Sequence, residues 1–222
     1  MLLWKQLNCL YCHAFLLRAA NLPEAEKSEC VCTQQDHLNS VQTERELYRK
    51  ACDDAKRSFK ALEDSIDIDE RYDPCSLDTT MHYSFDFAPQ VHYPSNPMQP
   101  GPIYFKTPRK CAIFGIMCEA IPQQVNYLID EASDVGKGAN TTISLVHHYF
   151  EHHGLGETSI HLHADNCSGQ NKNNYFVWYL AWRTILHLHL SVRYSFLIAG
   201  HTKFAPDRCF GIIKKSYKQN YI

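Results

Sequence analysis

The sequence shows no apolar run of membrane-spanning length, no convincing signal-peptide pattern and no excess of one charge. No apolar run reaches the roughly 20 residues that a membrane helix requires. The apolar start, Met1-Leu2-Leu3-Trp4, is interrupted by Lys5, Gln6, Asn8, His13 and Arg18 and carries no convincing signal-peptide pattern. The reading is therefore a soluble nuclear or cytoplasmic protein with no membrane partner. The formal net charge is only −2, so there is no global basic field, and any contact with nucleic acid must come from a local patch. A calcium loop is also missing: the acidic stretch 63–70 has neither the glycine nor the closing glutamate of one, and it reads as a solvated linker.

What is present suffices for a core. With 222 residues, 45% of them hydrophobic, the chain can build one domain of ordinary size and a smaller appendage. Ten cysteines without a secretory signal point to a reducing compartment, where thiols serve as metal ligands or core residues rather than as disulfides. Residues 1–40 hold Cys9-x-x-Cys12-His13, then Cys30-x-Cys32 and His37. Cys9, Cys12, Cys30, Cys32 and His37 form a candidate structural Zn²⁺ set, the plainer alternative being a remnant with free thiols. Residues 41–79 comprise an amphipathic helix, with Leu47, Tyr48, Ala51, Cys52, Ala55, Phe59 and Leu62 on one stripe, followed by the acidic linker.

Residues 80–222 alternate in type. Met81–Ala88 reads as a strand with Tyr83, Phe85 and Phe87 on one face and His82, Ser84 and Asp86 on the other. The Pro-rich passage 89–102 reads as a loop. Residues 103–105 and 111–120 read as strands two and three, with 124–129 extending the third or pairing beside it. A helix follows to Phe150, capped from Asn140-Thr141-Thr142, with Ile143, Val146, Tyr149 and Phe150 inward. Then come a strand over 161–165, a helix over 173–187, a strand over 191–199 and a helix over 207–218. This order predicts an α/β fold of the ribonuclease H-like kind: a mixed five-stranded sheet flanked by helices, with a small helical, Cys-containing N-terminal appendage. In that architecture the first and fourth strands are neighbours. Asp86, Asp165 and Asp207 then fall at the edges of apolar segments in the order a two-metal carboxylate cluster needs.

Six stretches carry a family resemblance: Ser84-Phe85-Asp86-Phe87-Ala88, the block Gln99 to Phe105, Tyr127-Leu128-Ile129-Asp130-Glu131-Ala132, Gly136-Lys137-Gly138-Ala139-Asn140, the block Asp165-Asn166-Cys167-Ser168-Gly169-Gln170-Asn171-Lys172-Asn173, and Gly200-His201-Thr202-Lys203-Phe204-Ala205-Pro206-Asp207. Together they resemble a transposon-derived ribonuclease H-like domain widespread in animal genomes, over about residues 80–218. The resemblance implies ancestry from a DDE/D transposase, with DNA as partner and a homo-oligomer as a candidate assembly. A short N-terminal segment and an abrupt end after Tyr221-Ile222 make the chain read as a fragment without its own DNA-recognition domain.

The chemistry follows from the charges. Two Mg²⁺ or Mn²⁺ ions about 3.5–4 Å apart activate an attacking oxygen and stabilise a leaving one in an in-line phosphoryl displacement. Asp86, Asp165 and Asp207 are assigned as metal ligands and catalytic residues, Asp165 bridging. Gln170, Asn171, Lys172 and Asn173, at a helix start, are assigned to substrate phosphate, against plain capping chemistry. His201, Thr202 and Lys203 are assigned to position substrate or water, against a buried histidine holding the loop. Glu131 is a candidate extra carboxylate or a surface charge. The basic run Lys203, Arg208, Lys214, Lys215 and Lys218, with Phe210 and Tyr217, supports a second class of function, a module that tracks a phosphate backbone without cleaving it. A third class uses His161-x-His163-x-Asp165 as a zinc hydrolase motif, although Asn166 stands where the last histidine belongs. His147, His148, His152 and His153 read as a polar helix face, and Trp178, Tyr179 and Trp182 as packing.

Overall fold

The computed structural model describes residues 10–62, 67, 70, 72–93, 101–133 and 136–219. Five strands, β1 (Leu77–Tyr93), β2 (Arg109–Cys118), β3 (Gln123–Asp130), β4 (Glu157–Ala164) and β5 (Ser191–Phe196), form one open mixed sheet in the order β3-β2-β1-β4-β5. β2 pairs antiparallel with both β1 and β3, whereas β4 pairs parallel with both β1 and β5. The helices are α1 (Leu10–Ala20), α2 (Glu24–Lys60), α3 (Ala139–His153), α4 (Asn174–Ile185) and α5 (Ala205–Gln219). None among the described residues is long and apolar enough to cross a membrane.

The period-two pattern of β1 sorts the molecule into layers. Tyr83 meets Tyr149 and Phe150 of α3, and Phe85 stacks on Phe176 of α4 with ring centroids 5.6 Å apart. Phe176, fully buried, also stacks on Tyr194 at 4.9 Å, which makes it the hub of this apolar layer. On the opposite face, His82, Ser84, Asp86 and Ala88 look toward α2 and α5. There Tyr48 and Cys52 of α2 pack with Leu197 and Phe204, and Phe210 of α5 packs with Ala88 and Ile113. This second face is polar near its centre, and it carries the chemistry.

Several elements depart from the sequence reading. β1 does not stop at Ala88 but runs through Pro89 to Tyr93, with the register shifting between Ala88 and Val91. Proline is tolerated because β4 pairs with β1 only as far as Ser84, so beyond that point β1 has β2 on one side alone. Residues 101–104 form a single helical turn, not a second strand; the second and third strands are 109–118 and 123–130, so the latter pairs beside the former rather than extending it. The helix predicted from about 41 begins at Glu24 and absorbs Cys30, Cys32 and His37. Its buried stripe is Tyr48, Cys52, Ala55 and Phe59, while Leu47 is exposed. α3 starts at Ala139 without a side-chain cap, and Thr142 instead bonds back to the Gly138 carbonyl. Most of the acidic stretch 63–70 and all of 94–100 lie outside the described residues.

α4 is capped as the sequence suggests. Asn173 accepts from the Phe176 amide at 3.0 Å, and its side-chain amide donates to the Ser168 and Gln170 carbonyls. Asn173→Ala is expected to cost about 1 kcal/mol, the usual worth of such a cap, read as a lowered urea midpoint at unchanged slope. A change within experimental error would mean that the Cys167–Asn173 turn holds the helix without its cap.

Candidate functional site

Parallel pairing of β1 with β4 brings the two strands into matched rungs. His82 lies opposite His161, and Ser84 lies opposite His163. Two residues beyond that last rung stand Asp86 and Asp165, side by side where β4 ends. Asp207 approaches from the first turn of α5. That helix is seated by Phe210, three residues on, over Gly115, whose partner in the β1–β2 ladder is Asp86. A Cβ on Gly115 would meet Phe210 Cε1 at 2.7 Å and Gln124 Nε2 at 2.5 Å, so the missing side chain is what lets α5 lie close.

Asp86 senses the other two carboxylates. Burial first, and then the charges of Asp165 and Asp207, push the Asp86 carboxyl up to about 7, against the relief given by the Phe87 amide and Lys137. Each carboxylate is also held by one oxygen. Asp86 Oδ1 accepts from the Phe87 amide at 2.7 Å, Asp165 Oδ1 from the Cys167 amide at 3.1 Å and from the Asn171 side chain, and Asp207 Oδ2 from the Phe204 amide at 3.1 Å. The last is half of a capping box, so Asp207, exposed at the surface, is a cap as well as a member of the cluster. Lys137, bonded to the Ala88 carbonyl at 3.2 Å, is the nearby cation.

Below the aspartates on the same face lies a hydrogen-bonded relay. Burial first, then Glu119, pushes the Cys52 thiol up to about 12, so it keeps its proton and faces His82 Nδ1 at 3.4 Å. His82 Nε2 faces His163 Nδ1 at 2.8 Å, and His163 Nε2 faces Glu44 at 3.2 Å. Burial, with His163 next, holds His82 down to about 2, and the same two causes hold His161 down to about 3. Both rings are therefore neutral, and a continuous chain of contacts links Cys52 through His82 and His163 to Glu44. His161 bonds Ser195 at 2.8 Å. The zinc-hydrolase alternative thus has its histidines and Asp165 on one face, as alternation requires, but His163 is committed at both nitrogens and Asp165 at Oδ1. A groove of about 740 Å³ opens over these rings between α2 and strands β4 and β5, with Lys50, Lys172 and Arg193 on its walls.

The other residues singled out in the sequence fall as follows. Asn171 is buried and orients Asp165, and Asn173 caps α4. Gln170 is half-buried and Lys172 exposed, its ammonium 5.4 Å over the Phe196 ring. The carbonyls of His201 and Lys203 both accept from the Arg45 guanidinium, which ties their loop to α2. The His201 ring meets Cys12 and His37, and Thr202 is half-buried. Of the proposed zinc set, Cys12 and His37 come together with His201; the Cys30 thiol turns to the Phe15 carbonyl at 3.7 Å, and Cys32 is exposed. Cys9 lies outside the described residues. Glu131 accepts from the Lys110 amide at 2.9 Å at the surface, away from the aspartates. His147 bonds Tyr179 and the buried Arg183, and Trp178 and Trp182 remain exposed. Sequence reasoning missed Glu119, a buried carboxylate that accepts from Tyr48 and Ser84, and Arg45; neither belongs to a local motif.

A family model described as a domain of unknown function, DUF7869, matches residues 106–222, just over half of the chain. The matched span includes Asp165 and Asp207, while β1 with Asp86 precedes it. No curated protein and no solved structure matches the chain.

Proposed function

We propose, on the premise that the chain belongs to the DUF7869 family, whose name carries no activity, that its site is a two-metal phosphodiester centre of the ribonuclease H-like, DDE/D-transposase kind. One observation carries the reading: Asp86 and Asp165, each two residues past the last rung of the parallel β1–β4 pair, stand near Asp207 of the first turn of α5, whose charge together with that of Asp165 bears on Asp86. The sheet order β3-β2-β1-β4-β5 supports it, as does the sequence resemblance. Mg²⁺ or Mn²⁺ would be held by the oxygen of each aspartate that its hydrogen bond leaves over, and would supply the charge that activates water and steadies the leaving oxygen. The chain's own contribution is positional. Asn171 and the Cys167 amide orient Asp165, the Phe87 amide orients Asp86, and the Phe204 amide orients Asp207. DNA is the substrate in this reading, steered by the exposed cations of α5, Arg208, Lys215 and Lys218, and by Lys172 and Arg193 along the groove.

The test is calorimetric titration of the whole chain with Mg²⁺ and Mn²⁺, beside Asp165→Asn, with nicking of supercoiled plasmid followed in the same preparations. Expected are saturable binding that is lost in Asp165→Asn and nicking lost with it. Binding should strengthen as pH rises through about 7, where Asp86 gives up its proton. A folded wild type that binds neither ion would sink the reading and leave a module that only tracks phosphates.

A further inference from the structure

A second candidate metal centre is formed by residues outside the aspartate cluster. Cys12 of α1, His37 of α2 and His201 of the loop before α5 bring one ligand atom each to within 4.8 Å of one another. We propose that Cys12, His37 and His201 bind a zinc ion that pins α1 and α2 to the His201–Phe204 loop. This goes beyond the carboxylate reading and does not depend on it.

The distances fit the ion. With Zn–S near 2.3 Å and Zn–N near 2.0–2.1 Å, a tetrahedral site has an S–N edge of about 3.6 Å and an N–N edge of about 3.3 Å. Cys12 Sγ and His201 Nε2 are 3.5 Å apart, and the His37 and His201 rings are tilted with centroids 5.3 Å apart. The chemistry fits as well. Thiolate and imidazole are zinc's preferred donors. Cys12 is fully buried and His201 half-buried, so the trio lies largely out of solvent. Arg45 fixes the loop by gripping the backbone on both sides of Thr202. The fourth corner falls to a ligand outside the trio, a water in the simplest case.

The other tight cluster, His82, His161 and His163, is the natural competitor and does not match. His82 and His163 stand 2.8 Å apart, the length of a hydrogen bond and shorter than any edge of a zinc tetrahedron, and both rings are spent in the relay from Cys52 to Glu44.

Zinc content of the purified, untagged chain is measured first by mass spectrometry, then the ion is exchanged for Co²⁺ and the visible and near-ultraviolet spectra are recorded. About one ion per chain is expected, with the intense visible bands of tetrahedral cobalt and a thiolate charge-transfer band. Cys12→Ser should remove the charge-transfer band, His201→Gln should lower occupancy at least tenfold, and Cys32→Ser and His161→Ala should leave both signals intact. Circular dichroism checks that each variant folds, and the wild-type spectrum stands by itself if one does not. A folded wild type without tetrahedral cobalt bands, or an ion lost in His161→Ala and kept in His201→Gln, would overturn the assignment.

Discussion

Under the two-metal reading, Asp86→Asn is expected to abolish metal-dependent nicking, by on the order of 10³-fold or more, because the metal charge that Asp86 would help to hold is worth several kcal/mol in the transition state. The same substitution should make the metal-free protein more stable, which separates this prediction from a general loss of fold. Asp86 has a folded value of about 7 against an ordinary 3.8, so the native state holds a proton that the unfolded chain releases. Wild-type stability therefore falls as pH rises from about 4 to about 7 and levels off above that. The asparagine variant lacks this slope. At pH 8 it should exceed the wild type by about 1–3 kcal/mol, allowing for partial exposure of the carboxylate. At pH 4 the two should nearly coincide. Urea unfolding across that range, with and without Mg²⁺, decides it: added Mg²⁺ should restore wild-type stability and do little for the variant. Parallel pH profiles for the two proteins would show that Asp86 is not under charge strain.

Gly115→Val is expected to act at a distance, through α5. The new side chain meets the Phe210 ring and must push it away from β2. Overpacking of this kind costs about 1–3 kcal/mol. Because Asp207 lies one helical turn before Phe210, lifting the helix also draws the third carboxylate from the other two. A misplacement of about 1 Å is enough to cost about 10²-fold in rate. The companion variant Gly115→Val/Phe210→Leu trims the opposing ring and should recover part of both losses, read by thermal melting and by nicking. Equal losses in the single and double variants would mean that Phe210 does not seat the helix.

How much of this was legible in the sequence depended on whether the cause was local. Alternation in 81–88 placed Asp86 on the face opposite Tyr83 and Phe85, and alternation in 159–165 placed His161, His163 and Asp165 together, because pleating is a property of the strand itself. Asn173 announced its helix for the same reason. The N-terminal third misled: cysteine and histidine spacing in 1–40 suggested a small module, whereas Glu24–Lys60 is one continuous helix whose cysteines point in different directions. The partner of Cys12 and His37 is His201, 189 residues from Cys12, and no local spacing could reveal it. Gly115 and Phe210 are likewise joined only by the fold. Pro89 misled in the opposite sense, since its missing donor matters only where a second neighbouring strand awaits it, and β4 has already ended there.

One feature of the aspartates bears on which ion they would choose. Each has an oxygen committed to a nitrogen of its own surroundings: Phe87 for Asp86, Cys167 and Asn171 for Asp165, Phe204 for Asp207. A carboxylate anchored in this way gives one ligand and cannot easily chelate with two. Calcium, which favours six to eight oxygens and often takes carboxylates bidentately, is poorly served by such a cradle. Magnesium, smaller, octahedral and content to keep several of its waters, is well served. In the two-metal reading, the nitrogens that order these side chains would therefore also act as a selectivity filter, set by the surroundings of the ligands rather than by the ligands alone.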